Sequence, residues 1–286
     1  DTLAPDPASW QHRAGPAPTP AQLAAAACVE IMVRAMNSNA VAIGAATDLM
    51  DQAWWSPGLR HPDGTFAFSL GYGGGIFVDQ TGRRFMNESL PYDRAGREMI
   101  ARMKAGKLQL PIWMIYDNRD DGVPPVQYPN VPFADTSAYH AAGCWVSAPT
   151  LADLAARIGV PAHALTETVV RFNTLAAAGE DSDFGRGTEP YERMFTAGRP
   201  PLARIVTPPF HAAAFELSDL GTKGGLKTDT AARVLATNGA PIQGLYAAGN
   251  SMAAASGEAY PGGGNPIGSS MVFAFLAALD IGARLT

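Results

Sequence analysis

The residues best suited to chemistry lie near the carboxy-terminal end, in Gly244-Leu-Tyr-Ala-Ala-Gly-Asn250 and then Gly257-Glu-Ala-Tyr-Pro-Gly-Gly-Gly-Asn-Pro-Ile-Gly-Ser-Ser270. An apolar run follows to about Ile281, so the segment reads as strand, glycine-rich loop and helix. Glycines at 262, 263, 264 and 268 allow positive φ and close backbone approach. A helix opening near Pro266 points free N–H groups and a positive dipole end at whatever lies in front of it, so an electron-rich acceptor belongs there. A flavin pyrimidine ring, whose carbonyl gains negative charge on hydride uptake, fits that place. A phosphate fits as well, and so does a tight strand-to-helix turn that needs only small residues.

Other constellations lack the spacing their chemistry requires. His12, His61, His140, His163 and His211 never fall near a cysteine or one another, which leaves a histidine triad or a metal centre without support. Cys28 and Cys144 lie outside any CxxC and read as buried free thiols, suited to a reducing cytoplasm. Gly71 to Gly75 precedes a strand instead of opening a helix, and reads as a turn. A net charge of -5 with scattered basic residues argues against nucleic acid as a partner. The apolar stretch 21–29 is interrupted by Glu30, Arg34 and Asn37 before it reaches the roughly 20 residues of a bilayer span, so no transmembrane segment is expected. The proline-rich start lacks the basic and then apolar layout of a signal peptide.

The elements that would position the tail can be read along the chain, whose 286 residues are 47% hydrophobic and long enough for sizeable cores. Five prolines within residues 1–20 predict an extended start, followed by helix over 21–53 with Gly44 interrupting it. Gly74 to Asp79, Gln80 to Gly82 and Arg83 to Met86 read as strand, turn and strand, a hairpin. Residues 110–117 form an apolar run suited to a strand buried on both faces. Residues 150–178 read as helix, opening at Thr150 with Asp153 in the first turn and broken near Gly159 and Pro161. Asp181 to Gly187 is a polar loop, and short strands are expected from Pro208 onward.

The tail resembles the FAD-contacting end of the 3-ketosteroid dehydrogenases, a branch of the fumarate reductase and succinate dehydrogenase flavoprotein family. Six upstream segments carry the same resemblance: Gly44-Ala-Ala-Thr-Asp-Leu-Met-Asp51 with Trp54-Trp55, Gly82-Arg-Arg-Phe-Met-Asn-Glu-Ser-Leu-Pro-Tyr92, Arg171-Phe-Asn173, Asp183-Phe-Gly-Arg186, Pro208-Pro-Phe210 and Gly224-Gly-Leu226. Together with the tail they span about residues 44 to 286. The resemblance implies an α/β fold: a partial FAD-binding, Rossmann-like domain with an inserted α+β catalytic domain. Residues 1–60 would then be a remnant of the FAD-binding domain, 61–205 the catalytic domain, and 206–286 the carboxy-terminal part of the FAD-binding domain.

The resemblance also implies roles for residues. Tyr92 and Tyr260 match catalytic tyrosines, and Gly264 matches the glycine whose backbone N–H holds the substrate ketone. Introducing a double bond beside a ketone removes a proton from the α carbon while its neighbour loses hydride, so the developing enolate oxygen needs preorganised donors. Tyr260 and Gly264 would supply two, and Tyr92 would accept the proton. Gly249, Asn250, Asn265, Pro266 and Ile267 would border the flavin, and Asn87 with Glu88 would be hairpin-end structure fixing the catalytic segment. Taken alone, Tyr92 after Pro91 and Tyr260 before Pro261 also read as turn aromatics.

FAD is therefore the expected cofactor, a 3-ketosteroid the substrate and an external molecule the electron acceptor, with removal of hydrogens at carbons 1 and 2 ahead of 4 and 5. No segment places GxGxxG between strand and helix, so part of the anchorage for FAD is expected to be absent from this sequence. A steroid-binding fragment without catalysis is the alternative from another class. A fumarate reductase type of activity is disfavoured, because Tyr260 stands where those enzymes resemble an anion-binding arginine.

Overall fold

The computed structural model describes residues 37–129, 131–133, 135–194 and 200–285. The proline-rich start, most of the first expected helix, His12 and Cys28 lie outside the described residues. In chain order the elements are β1 (Thr47–Asp48), β2 (Ala53–Arg60), β3 (Phe66–Tyr72), β4 (Ile76–Val78), α1 (Tyr92–Lys104), β5 (Ile112–Tyr116), β6 (Val126–Pro129), α2 (Thr136–Ala141), β7 (Trp145–Ala148), α3 (Leu151–Ile158), α4 (Ala162–Ala178), α5 (Pro190–Met194), β8 (Phe210–Thr222), β9 (Gly225–Leu226), β10 (Arg233–Leu235), β11 (Pro241–Tyr246) and α6 (Asn265–Leu285). They divide into two compact units, Trp55–Asp219 and Asp1–Trp54 with Leu220–Thr286, so the chain passes between the units along β2 and β8.

The larger unit is built on a sheet of order β4-β5-β8-β2-β3-β6, with β7 also paired to β8. β5 lies between β4 and β8, and Ile112, Met114 and Ile115 are without exposure, as its apolar run requires. α3 begins where the Thr150 side chain accepts the Asp153 N–H and ends at Gly159, whose φ of +74° favours glycine. α4 follows Pro161, and Leu154, Leu165, Val169 and Phe172 of this helix pair pack on Ile76, Val78, Ile115 and Ala212. α3 and α4 thus match the expected helix pair closely.

Two expectations change here. The hairpin expected over 74–86 keeps only its first strand, β4, because the return limb makes a single bridge, Val78 to Arg84, after a turn at Gly82. The Arg84 side chain turns inward to Glu88 instead of alternating along a strand. Of the short strands expected from Pro208 onward, β9, β10 and β11 are short, but the first, β8, is a single strand of 13 residues. Pairing with β5, β7 and β2 carries β8 through Asp219 and Gly221, which alone read as breaks.

In the smaller unit residues 37–42 are helical and Gly44, at φ +89°, ends that turn. The chain then enters β1, so the expected helix does not continue to 53. β1 pairs antiparallel with β9, β10 with β11, and Ala45, Leu226, Val234, Ala247 and Met252 form the core between them. α6 starts at Asn265, as the glycine-rich loop predicts. By length and composition alone it is long and apolar enough to cross a membrane, a test that the core helix of a soluble protein also passes. Phe273 packs on the unit's core and Tyr246 Oη donates to Asp280 Oδ2 at 2.7 Å, so one side of α6 is tied to β11.

Candidate active site

Tyr92 belongs to the larger unit and is the first residue of α1, after Pro91, whose missing N–H costs nothing at a helix start. It is 8% exposed, so it is no surface turn aromatic. Its ring meets Phe68 edge-on with centroids 5.2 Å apart. It lines a small cavity with Pro57, Ser69, Leu70, Ser89 and Tyr191. One turn along, Gly96 lies so close to β2 that a Cβ there would be 2.6 Å from the Trp55 carbonyl carbon, which fixes the start of α1 against the sheet.

The segment leading into Tyr92 is held by a buried ionic cluster. Glu88 accepts from Arg84 Nε and Nη2 at 2.7 Å each, from Arg186 Nη1 at 3.0 Å and from the Phe77 N–H at 3.1 Å. Arg186 reaches on to the carbonyls of Gly75 and Tyr72 at 2.6 and 3.0 Å. Arg84 also donates to Asp181 at 2.7 Å, with its guanidinium over the rings of Phe172 and Phe184. Burial alone would raise the Glu88 carboxyl, but the guanidinium of Arg84, then that of Arg186, outweighs it and holds Glu88 below the usual carboxylate range. Asn87 donates to Glu192 and accepts from the Ser89 N–H at 2.9 Å. These two residues act as framework, as the resemblance implies, and the polar loop 181–187 is part of the same buried cluster.

Tyr260, Gly264 and the five expected flavin neighbours all belong to the smaller unit. Tyr260 is half-buried and its ring meets Trp54 edge-on at 6.2 Å. Gly264 sits just before α6 at φ +84°, a conformation that favours glycine, and its carbonyl accepts the Gly268 N–H at 2.8 Å. A Cβ at 262, 263 or 264 of the loop, or at 268 in the first turn of α6, would meet nothing within 4 Å, so none of these glycines is required by close packing. Gly249 lies at φ +64° in the short 3-10 turn Gly249–Ser251, and an added Cβ would be 3.7 Å from Ser270 Oγ of α6. Thr222 Oγ1 donates to the Asn250 carbonyl at 3.4 Å.

The start of α6 offers fewer donors than its position suggests. Pro266 has no N–H, and Gly268 donates to Gly264. The first-turn amide left for an outside acceptor is that of Ile267, which has no acceptor within the helix and is 70% exposed. One exposed amide, a positive helix end and flanking small residues suit the electron-rich edge of a flavin ring, so the residues present fit that group.

Lys223 escaped the reading of the sequence. It stands inside Thr222-Lys-Gly-Gly-Leu226, where a lone cation among small and apolar residues is the available signal, and it is fully buried. Its surroundings are taken up below.

The FAD binding domain family matches residues 10–267, starting ahead of the resemblance that begins at residue 44. The 3-oxosteroid 1-dehydrogenase of Mycobacterium tuberculosis is 40% identical over 255 residues, which is 84% of this chain and 44% of that protein. The 4-oxocyclohex-2-ene-1-carboxylate 5-dehydrogenase of Sinomonas cyclohexanicum is 38% identical over 221 residues, 76% of this chain and 37% of that protein. The crystal structure of 3-ketosteroid delta1-dehydrogenase from Sterolibacterium denitrificans, in complex with 1,4-androstadiene-3,17-dione, aligns with a TM-score of 0.78 at 34% identity, covering 88% of this chain and 47% of that one. The chain thus spans under half the length of these relatives.

Proposed function

The chain belongs to the FAD binding domain family, and from that membership we propose that the protein carrying it desaturates the A-ring of 3-ketosteroids between carbons 1 and 2. What supports this reading is that Tyr260 and Gly264 stand in one loop directly ahead of a helix start, with Gly264 at φ +84°. A ketone oxygen that gains enolate charge is stabilised by two such donors, the phenol O–H and the Gly264 N–H. Neither group is a cation, so the loop suits a neutral ketone better than a carboxylate.

Tyr92, as its phenolate, takes the proton from the α carbon and becomes the neutral phenol, and the framework of Glu88, Arg84 and Arg186 keeps the segment before it from shifting. FAD, when bound, accepts the hydride from the neighbouring carbon. Gly249, Asn250, Asn265, Pro266 and Ile267 would hold the flavin, with the Ile267 N–H available to its electron-rich edge. In this reading residues 61–205 form the catalytic domain, and residues 1–60 with 206–286 form the cofactor side.

Likeness to the 3-oxosteroid 1-dehydrogenases over 84% of the chain supports a steroid substrate. The similar cyclohexene carboxylate dehydrogenase is named for a smaller ring ketone, so the two substrates are compared directly. The test is steady-state turnover by the FAD-loaded, full-length protein with an artificial electron acceptor. A 3-keto-4-ene steroid is expected to be turned over with a higher kcat/KM than 4-oxocyclohex-2-ene-1-carboxylate, and the product to carry the new double bond at carbons 1 and 2. Absence of steroid turnover would overturn the proposal.

A further inference from the structure

Resting on the role given to Tyr260 above, we propose that Lys223 is a positioning residue that holds Tyr260 for its donation to the substrate ketone. Lys223 follows directly on β8. Its N–H donates to the Gln52 carbonyl at 2.9 Å, and its own carbonyl accepts the Ala254 N–H at 2.8 Å. Gly224 beside it packs so tightly that a Cβ there would lie 2.6 Å from the Leu49 oxygen. The backbone that carries the lysine is therefore fixed on both sides.

From that base the ammonium reaches the loop of Tyr260. Nζ donates to the carbonyls of Glu258 and Ala259 at 3.0 and 2.9 Å, and it sits 4.1 Å from the centroid of the Trp54 ring. Glu258 and Ala259 are the two residues immediately before Tyr260, and the Tyr260 ring packs edge-on against that same Trp54. One cation thus joins an indole to two successive carbonyls, and the phenol follows one peptide bond later.

A buried ammonium is costly unless its donors are satisfied, and a surface lysine would keep its head in water. Here two charge-assisted hydrogen bonds and the indole face stand in for that water. Glu258 and Ala259 are exposed, and the glycines after Tyr260 add no packing from their side. Without Lys223, the two carbonyls would lose these hydrogen bonds, and the phenol one peptide bond later would lose that part of its support. Small displacements of a group that acts in the transition state lower turnover more than binding.

The experiment compares Lys223→Met with wild type in the full-length, FAD-loaded protein, alone and combined with Tyr260→Phe. Methionine keeps length and apolar packing on Trp54 but donates nothing. The expected result is unchanged flavin content, a steroid KM near the wild-type value and a kcat lowered roughly 10-fold to 100-fold. In the Tyr260→Phe background the same change should have little further effect, because the phenol it would position is gone. Unchanged kcat, or an equal loss in both backgrounds, would overturn the role of Lys223. If the methionine variant does not fold, Lys223→Gln, which can still donate to one carbonyl, carries the same comparison with a smaller loss. A wild type that leaves 3-ketosteroids untouched overturns the underlying function instead, so the two failures are told apart.

Discussion

Arg186 Nη1 lies 3.0 Å from Glu88 Oε2, and both side chains are completely screened from solvent. Their partners are Arg84, the Phe77 N–H and the carbonyls of Tyr72 and Gly75, and Arg84 in turn donates to Asp181. A charge pair this deep is stable only because nearly every donor and acceptor finds a partner. The pair thus fixes, in one unit, the strand edge, the loop over 181–187 and the segment entering α1.

Glu88→Gln tests that role. The substitution keeps shape but leaves two buried guanidinium groups without their shared carboxylate. Breaking one side of such a pair costs about 3 to 5 kcal/mol. Denaturant unfolding should show a lower midpoint with an unchanged slope. A change of under ~1 kcal/mol would mean that the cluster relaxes around the loss.

Acid should destabilise the protein through the same residues. Burial works against ionisation of both Glu88 and Asp181, but arginine partners win and hold both carboxyls below their ordinary values. Their stabilisation is therefore present above the unfolded carboxyl range, about pH 4, and is lost as pH falls through the lower folded values. His61 and His211, each held below the usual imidazole value chiefly by burial, add a loss that starts below about pH 6.5. Urea midpoints measured from pH 8 down to pH 3 should stay level, dip gently and then fall steeply. In Glu88→Gln the steep part should be shallower.

Gly249→Leu should strip flavin from the protein. At φ +64° a leucine backbone is strained, and its side chain would start beside Ser270 on the helix that opens toward the proposed flavin edge. The absorbance of bound flavin relative to protein, read on the purified full-length variant, is expected to fall sharply while the far-ultraviolet circular dichroism is retained. Unchanged flavin content would remove Gly249 from the cofactor site.

Local signals in the sequence were enough for some elements and not for others. Thr150, Asp153 and Gly159 carry their own capping and stop chemistry, so α3 could be read without its surroundings. The same holds for the tail, where Gly262 to Asn265 and an apolar run announce α6. β8 could not be read, since its 13 residues are held by neighbours on both sides and include a glycine and two aspects of polar sequence, Ser218 and Asp219, that suggest a break. The site residues show the same division. Tyr92 and Tyr260 are proposed from their motifs, but burial of Lys223 over Trp54 depends on residues 169 positions apart folding together, as 223 less 54 gives. Spacing along a chain carries no trace of such a contact.

The two tyrosines separate the mechanism from the family. Tyr260→Phe removes one of the two proposed donors to the developing enolate, a loss that at comparable sites amounts to about 2.7 to 4 kcal/mol, or roughly 100-fold to 1000-fold in turnover. Its ring still packs against Trp54, so flavin content and stability should hold. Tyr92→Phe deletes the proton acceptor and should be at least as damaging to kcat. The edge-on packing with Phe68 survives the change, and so does the start of α1. Both variants are measured on a 3-keto-4-ene steroid with an artificial acceptor, and steroid affinity is measured separately by binding. The expected pattern is near-normal binding with turnover lost. Rates close to wild type in both would refute the assigned roles even with the family membership intact, and tighter losses in binding than in turnover would recast the tyrosines as ground-state contacts.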